Sequence, residues 1–295
     1  MAPRRENPES VSDWLLWGQD RLEGLDHPAL ESRALMGALL GSPTAPWTRG
    51  ADPLPLEHRT VFQRWVGRRA KREPFHLIVG SVPFFGRNFR VGPGVLIPRP
   101  ETEHLVLCAL DHLAGRRAED PARILDLGAG TGIIALTLLL ECPTTLGVAV
   151  EREPAALGIL LENRRSFGLE DRLSVIHGSW GEMFADRPAF DLVLSNPPYI
   201  PTGVLPRLEP EVRDHEPVAA LDGGADGLAC YRKILSTAPG LLREGGLLAF
   251  EIGEGQAGSF REGGAAWPSP ETPFSSPPAV IRDVSGRDRV IIWKK

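Results

Sequence analysis

From residue 122 onward, short apolar runs alternate with longer amphipathic stretches. The runs at 123–127, 146–150, 173–176, 192–195 and 246–252 have strand length, and those at 133–140, 155–167 and 228–242 carry apolar residues at helical spacing. Such alternation predicts a parallel, doubly wound sheet with helices on both faces. The end of the chain differs. Runs at 280–284 and 289–293 flank Ser285-Gly286-Arg287-Asp288, which predicts a hairpin and an antiparallel finish to the sheet. The Gly-, Pro- and Ser-rich residues 254–279 predict no regular element.

The first third reads as three short amphipathic helices. One is capped by Ser12 and carries Trp14, Leu15, Trp17 and Leu22. Another starts at Pro28 and stops at Gly41, and a third starts near Pro55 and ends in Arg68, Arg69, Lys71 and Arg72. Trp14, Trp17 and Trp65 fit the core of a small bundle. Leu77-Ile78-Val79, Val82 to Phe85 and Phe89-Arg90-Val91, broken by glycines, predict a β-hairpin. The expected organisation is thus a helical bundle over 1–75, a hairpin linker over 76–98 and an α/β domain over 99–295.

Composition narrows the classes. Hydrophobic residues make up 42% and charged residues 24% of the 295, as in an ordinary globular protein. A formal net charge of -5 gives no general attraction to nucleic-acid phosphates. Cys108, Cys142 and Cys230 are far apart and follow no metal spacing, so no metal is expected and the thiols fit a reducing, cytoplasmic setting. The start lacks the apolar segment of a signal peptide, and the apolar run ending at Leu140 is too short to span a bilayer.

Two stretches carry chemistry. Asp126-Leu127-Gly128-Ala129-Gly130-Thr131-Gly132 follows the first α/β strand and opens a helix. Its glycines are spaced i, i+2, i+4, not the i, i+2, i+5 of the dinucleotide fingerprint. A tight turn without side chains remains, which lets a ligand approach the backbone. Glu151 ends the next strand, where an acid accepts hydrogen bonds from ribose hydroxyls. Farther on, Asn196-Pro197-Pro198-Tyr199 follows the strand run Phe190 to Ser195. Two prolines forbid helix and ladder there, so the loop holds an amide, a main-chain carbonyl and a phenol ring in place. Two carbonyl acceptors can grip one planar NH2 group while Tyr199 packs on its face.

The glycine turn with Glu151 resembles the class I S-adenosylmethionine methyltransferases. That resemblance implies a Rossmann-like sheet of seven mainly parallel strands in the order 3-2-1-4-5-7-6, the last strand antiparallel. It implies that Asp126 and the Gly128 to Gly132 loop hold S-adenosyl-L-methionine, that Glu151 holds its ribose, and that Trp180 lies near its adenine. The Asn196 to Tyr199 loop is shared by enzymes that methylate DNA adenine, RNA guanine and protein glutamine. Further stretches choose among them: Glu73 to Gly80, Phe84 to Phe89, Ile97-Pro98-Arg99-Pro100-Glu101-Thr102-Glu103, Glu216-Pro217, Ala220 to Leu228, Tyr231-Arg232, Glu251-Ile252-Gly253 and Gln256. With these the chain resembles the HemK/PrmC family of peptide chain release factor glutamine N5-methyltransferases. The resemblance implies that Asn196, Pro197, Pro198 and Tyr199 bind the substrate amide and that Asn196, Pro197 and Tyr199 serve the methyl transfer, Asn196 also bordering the cofactor. It implies a release factor as protein partner, gripped in part by the bundle. A monomer is expected, and the charge balance and short apolar runs predict direct contact with neither nucleic acid nor membrane. Two departures stand out: Glu151 occupies a position where many members carry Asp, and the prolines within 257–278 replace a helix common in the family.

Overall fold

The computed structural model describes residues 8–114, 121–184, 187–261, 264–266, 274 and 277–295. The chain divides into two compact units, Met1–Ser81 with Glu209–His215, and Val82–Leu208 with Glu216–Lys295.

In the first unit, helices α1 (Val11–Arg21), α2 (Pro28–Leu39), α3 (Ala45–Thr48), α4 (Leu56–Arg69) and α5 (Phe75–Val79) enclose a small core. Val11, Trp14, Leu35, Met36, Phe62 and Val66 are buried there, with Trp17 and Trp65 half-buried against them. The cap of α1 is Ser10, not Ser12. Ser10 Oγ accepts from Asp13 N, and Asp13 Oδ2 accepts from Ser10 N at 3.2 Å. This reciprocal box satisfies two otherwise orphaned amides, which Ser12 cannot do from inside the helix. Leu77-Ile78-Val79 is likewise helical, not the strand expected. Pro74 opens the turn, Gly80 closes it with φ 83°, and Leu77 and Ile78 are both buried instead of alternating. The basic end of α4 also turns inward. Arg69, only 8% exposed, donates to both oxygens of Glu31 and to Glu211 of the short helix α9 (Pro210–Arg213), while Arg68 donates to Glu73 at 2.7 Å. Three carboxylates therefore pair with the arginines of what reads in sequence as a basic cluster.

Strands β1 (Ser81–Phe84) and β2 (Arg87–Arg90) pair as a hairpin. Phe85 and Gly86 between them both have positive φ, as a two-residue hairpin turn demands.

The second unit is built on a seven-stranded sheet: β3 (Arg123–Leu127), β4 (Leu146–Glu151), β5 (Leu173–His177), β6 (Phe190–Ser195), β7 (Leu242–Glu251), β8 (Ala279–Arg282) and β9 (Asp288–Lys294), in the order β5-β4-β3-β6-β7-β9-β8. Counted within the sheet this is 3-2-1-4-5-7-6. The first five strands run parallel and β9 is antiparallel to both its neighbours. Helices α6 (Glu103–Leu113), α7 (Ile133–Glu141), α8 (Pro154–Ser166) and α10 (Ala229–Leu241) pack against it. β6 is buried at every position, as expected of a central parallel strand. Residues Ala257–Phe260 form a 3-10 turn, and Phe260 packs edge-on against Tyr231 and Trp293. Of the Gly/Pro-rich stretch beyond it, where the prolines are expected to replace a helix, 262–263, 267–273 and 275–276 lie outside the described residues. No helix among the described residues is long and apolar enough to cross a membrane.

Candidate active site

A pocket opens within the second unit at the carboxyl ends of the parallel strands, where open α/β sheets bind ligands. Gly128, Gly130, Glu151, Trp180, Asn196 and Pro198 line it. The two motifs far apart in sequence thus meet at one cavity. Strand register explains this, because β3 lies between β4 and β6, so the loops that leave all three emerge side by side.

The glycine turn is shaped by its own backbone. Gly128, Gly130 and Gly132 have φ of 71°, 58° and 84°, the left-handed region that a side chain resists. A Cβ on Gly128 would lie 3.4 Å from the Trp180 ring, and one on Gly132 would press Leu136 and Leu160 at 2.9 and 3.0 Å. The turn is pinned by Gly128 N and Ala129 N, which donate to Val150 O, and by Gly130 N, which donates to Glu151 Oε2 at 2.7 Å. Glu151 Oε1 accepts from the main-chain amides of Arg152 and Glu153 at 2.7 Å each. The longer acid therefore folds back over its own strand end, and its carboxylate, 7% exposed, borders the pocket. Trp180 follows β5 with φ 50°, a strained state for a bulky residue. That state turns its indole onto the glycine turn.

Asp126 is placed differently. It is fully buried behind the turn, away from the pocket lining, and its Oδ2 accepts from Ala135 N in the first turn of α7. Burial pushes its carboxyl up to about 7, against the Ala135 hydrogen bond, with the Glu151 charge adding to the rise. Ala129, Thr131 and Gly132 also stand outside the lining.

Asn196 leaves β6 beside Glu251, because Ser195 pairs with Phe250 across the parallel β6–β7 ladder. Asn196 Nδ2 donates to Thr102 Oγ1 at 3.2 Å, and Thr102 Oγ1 donates to Glu251 Oε2 at 2.6 Å. Pro197 is buried and Tyr199 half-buried. Gln256 holds the loop: its Nε2 donates to Tyr199 O and Gly227 O, while its Oε1 accepts from Gly253 N. Gly227 is required here, since a Cβ would lie 2.4 Å from Tyr199 O. Burial first, then the Glu251 charge, pushes the Tyr199 phenol up to about 12 against the pull of Arg99 and Arg289, so it stays a neutral ring and hydroxyl.

One wall of the pocket carries no residue given a role from sequence: Gly94, Val95 and Leu96 together with Pro217, Ala219 and Ala220. Arg99 donates to Glu216 at 2.5 Å and ties the two segments together. Burial raises the Glu216 carboxyl, and Arg99 opposes that rise.

Comparison with known proteins addresses the fold and the family. Residues 13–80 match the PrmC N-terminal domain and residues 106–204 match the methyltransferase small domain. Among solved structures, the chain superposes on the hMettl16 catalytic domain with a TM-score of 0.53 (14% identity, 80% of this chain and 81% of that one). On a methyltransferase from Pyrococcus furiosus the TM-score is 0.50 (16% identity, 78% and 98%). Fold and site together define a class I methyltransferase. The particular family follows from sequence: the chain is 43% identical over 258 residues to the release factor glutamine methyltransferase of Geobacter sulfurreducens, covering 85% of this chain and 88% of that one, and 41% identical over 273 residues to that of Cereibacter sphaeroides, covering 91% of each. It belongs to the release factor glutamine methyltransferase family and is an enzyme of that family.

Proposed function

We propose that this enzyme transfers the methyl group of S-adenosyl-L-methionine to the side-chain amide nitrogen of the glutamine in the Gly-Gly-Gln loop of translation release factors. The observation that carries the reading is the convergence of Asn196 and Pro198 with the glycine turn and Glu151 on one pocket, Pro197 and Tyr199 standing outside its lining. The cofactor fits what is there. The turn is a cradle that side chains would fill, Glu151 presents a carboxylate for a ribose diol, and Trp180 presents an aromatic wall for a base. Gly128, Ala129, Gly130, Thr131 and Gly132 shape the cradle, with Asp126 anchoring it from behind through Ala135 N.

When bound there, the cofactor supplies an electrophilic methyl on a sulfonium. This chain supplies position. An amide nitrogen is a poor nucleophile because its lone pair is delocalised. The Asn196 carbonyl and the Pro197 main-chain carbonyl accept its two N–H groups and orient the lone pair toward the methyl. Tyr199 packs on the amide plane, and Pro198 keeps the loop rigid. Fixed acceptors of this kind act through proximity and preorganised electrostatics and need no strong base, since the alkylated amide is acidic enough to release its proton to water. The helical unit, by this reading, grips the release factor, and the enzyme acts as a monomer in the cytoplasm. Its arginine-rich end is paired with Glu31, Glu73 and Glu211, which leaves it poorly suited to the phosphate contacts of a duplex-binding enzyme.

Radiolabelled cofactor incubated separately with release factor, duplex DNA and bare RNA tests the substrate. Label is expected in the release factor alone. Label in nucleic acid and none in protein would overturn the reading.

A further inference from the structure

The segments Ile97 to Glu103 and Glu251 to Gly253 stand out in sequence, yet neither has a part in the transfer as described. In the structure they meet at Asn196. β6 and β7 run parallel in register, so Asn196 and Glu251 leave the sheet side by side, and the turn Pro100–Thr102 sets the Thr102 hydroxyl between them. Both are nearly sealed from solvent, with Thr102 1% and Glu251 2% exposed.

The direction of the hydrogen bonds follows from counting protons. A carboxylate only accepts, and a threonine hydroxyl has one proton to give. The short 2.6 Å contact commits that proton to Glu251. Thr102 Oγ1 is then an acceptor toward Asn196, so the amide must present Nδ2, as it does at 3.2 Å. Rotating the amide by half a turn would set Oδ1 against oxygen lone pairs in a buried site, with no donor to satisfy it. With Nδ2 committed inward, Oδ1 is the end of the amide left for the pocket.

We infer that Thr102 and Glu251 are positioning residues that lock the Asn196 amide with its carbonyl toward the substrate nitrogen. The inference rests on the reading of Asn196 as an acceptor for that nitrogen. The lock depends on an ionised Glu251. Once protonated, Glu251 can donate to Thr102, whose own proton is then free to face Asn196, and the rotated amide is satisfied equally well. Burial pushes Glu251 up to about 7, opposed chiefly by the Thr102 hydrogen bond and least by the nearby Asn196 amide. Of the charged and titratable groups around it, Glu101 adds to the rise and Arg289 opposes it, the Tyr199 phenol lies within electrostatic reach, and Tyr231 donates to the Glu251 main-chain carbonyl. The lock therefore engages as pH rises through neutrality.

Three variants of the full chain test this: Thr102→Val, Thr102→Ser and Glu251→Gln. Single-turnover methylation of a release factor is followed across neutral pH, and cofactor affinity is titrated calorimetrically in parallel. Thr102→Val should lower the transfer rate by about 10–100-fold, by analogy with loss of the partner that orients a metal ligand, with cofactor affinity unchanged. Thr102→Ser should restore most of the rate. Glu251→Gln should lower the rate and flatten the rise with pH seen in the wild type. A Thr102→Val enzyme at wild-type rate, or a Thr102→Ser enzyme as slow as Thr102→Val, overturns the inference. A second reading needs no substrate. The Asn196 side-chain NH2 resonances, assigned by their loss in Asn196→Ala, should titrate near neutral pH in the wild type and not in Glu251→Gln. Their failure to titrate in the wild type refutes the lock, even if no release factor is methylated and the functional reading falls by itself.

Discussion

Two glutamates end two parallel strands of the same sheet, and they are held in opposite ways. Glu151, at the end of β4, receives three main-chain amides, those of Gly130, Arg152 and Glu153. Glu251, at the end of β7, receives a side-chain hydroxyl whose oxygen is shared with a side-chain amide. The first arrangement is a product of backbone path. Any sequence that makes the turn supplies the donors, and they cannot be mutated away. The second exists only because Thr102, Asn196 and Glu251 arrive from three distant segments, so one substitution dismantles it. The difference suits the two roles proposed for them: a cofactor that binds in every turnover needs a rigid cradle, whereas aiming one carbonyl needs control over a single torsion.

The largest effect should come from breaking the side-chain arrangement at its catalytic end. Asn196→Ala removes the acceptor proposed to orient the substrate nitrogen. A loss of about 2.7–4 kcal/mol in the transfer step is expected, by analogy with one preorganised oxyanion-hole donor, with cofactor affinity largely kept. Stopped or quenched single-turnover assays beside calorimetric titration separate the two quantities. A variant that turns over at near wild-type rate would remove Asn196 from the chemistry.

The main-chain arrangement should respond the other way. Glu151→Ala leaves the amides of Gly130, Arg152 and Glu153 in place but deletes the acceptor proposed for the ribose. It should weaken cofactor binding by about 1–3 kcal/mol. At saturating cofactor its rate should approach that of the wild type. If affinity holds and rate collapses instead, the two glutamates have been given each other's roles.

The smallest effect is on stability, and it has a definite sign. Burial raises Asp126 from 3.8 and Glu251 from 4.5 to about 7. Between those limits the folded chain keeps protons that the unfolded chain has lost, so stability falls as pH rises through the window and levels off above it. Glu73, lowered chiefly by its hydrogen bond with Arg68, and Glu211, where burial is outweighed by its own main-chain amide together with Arg69 and Arg72, act only below their ordinary range and do not oppose this. Thermal melts at constant ionic strength should therefore show a higher midpoint at mildly acidic pH than in mildly basic buffer. Asp126→Asn should flatten part of that slope. A midpoint that rises with pH across the window would show that these carboxyls are ionised in the folded state. Over the same range the rate should rise, so activity and stability are expected to run in opposite directions.

The sheet was legible in the sequence because each parallel strand is a short apolar run closed by turn residues, and the closing Ser285-Gly286 hairpin marked the reversal. The glycine turn and the Asn196 to Tyr199 loop were legible because their glycines and prolines dictate the backbone, and Glu151 because it ends the next strand. Other features depend on tertiary partners that no local pattern reveals. Leu77-Ile78-Val79 has strand composition, yet Pro74 and Gly80 close it as one helical turn. Arg69 carries the signature of a solvated helix end, yet its partners lie 38 and 142 residues away. Asp126 belongs to the glycine motif, yet its side chain points behind the turn to α7. A signal for Glu251 was present, a lone acid between Phe250 and Ile252 in an apolar strand. Its connection to Asn196 through Thr102 required the β6–β7 register.

The central claim is that the amide nitrogen of a protein glutamine is the methyl acceptor and that Asn196 directs it. Peptide mapping by mass spectrometry of a release factor, after incubation with cofactor and either wild-type or Asn196→Ala enzyme, tests it most directly. The expected result is one methyl group on the side-chain nitrogen of the Gly-Gly-Gln glutamine with the wild type, and little or none with Asn196→Ala over the same time. Methylation at another residue, or the same modification at equal rate with both enzymes, would contradict the account.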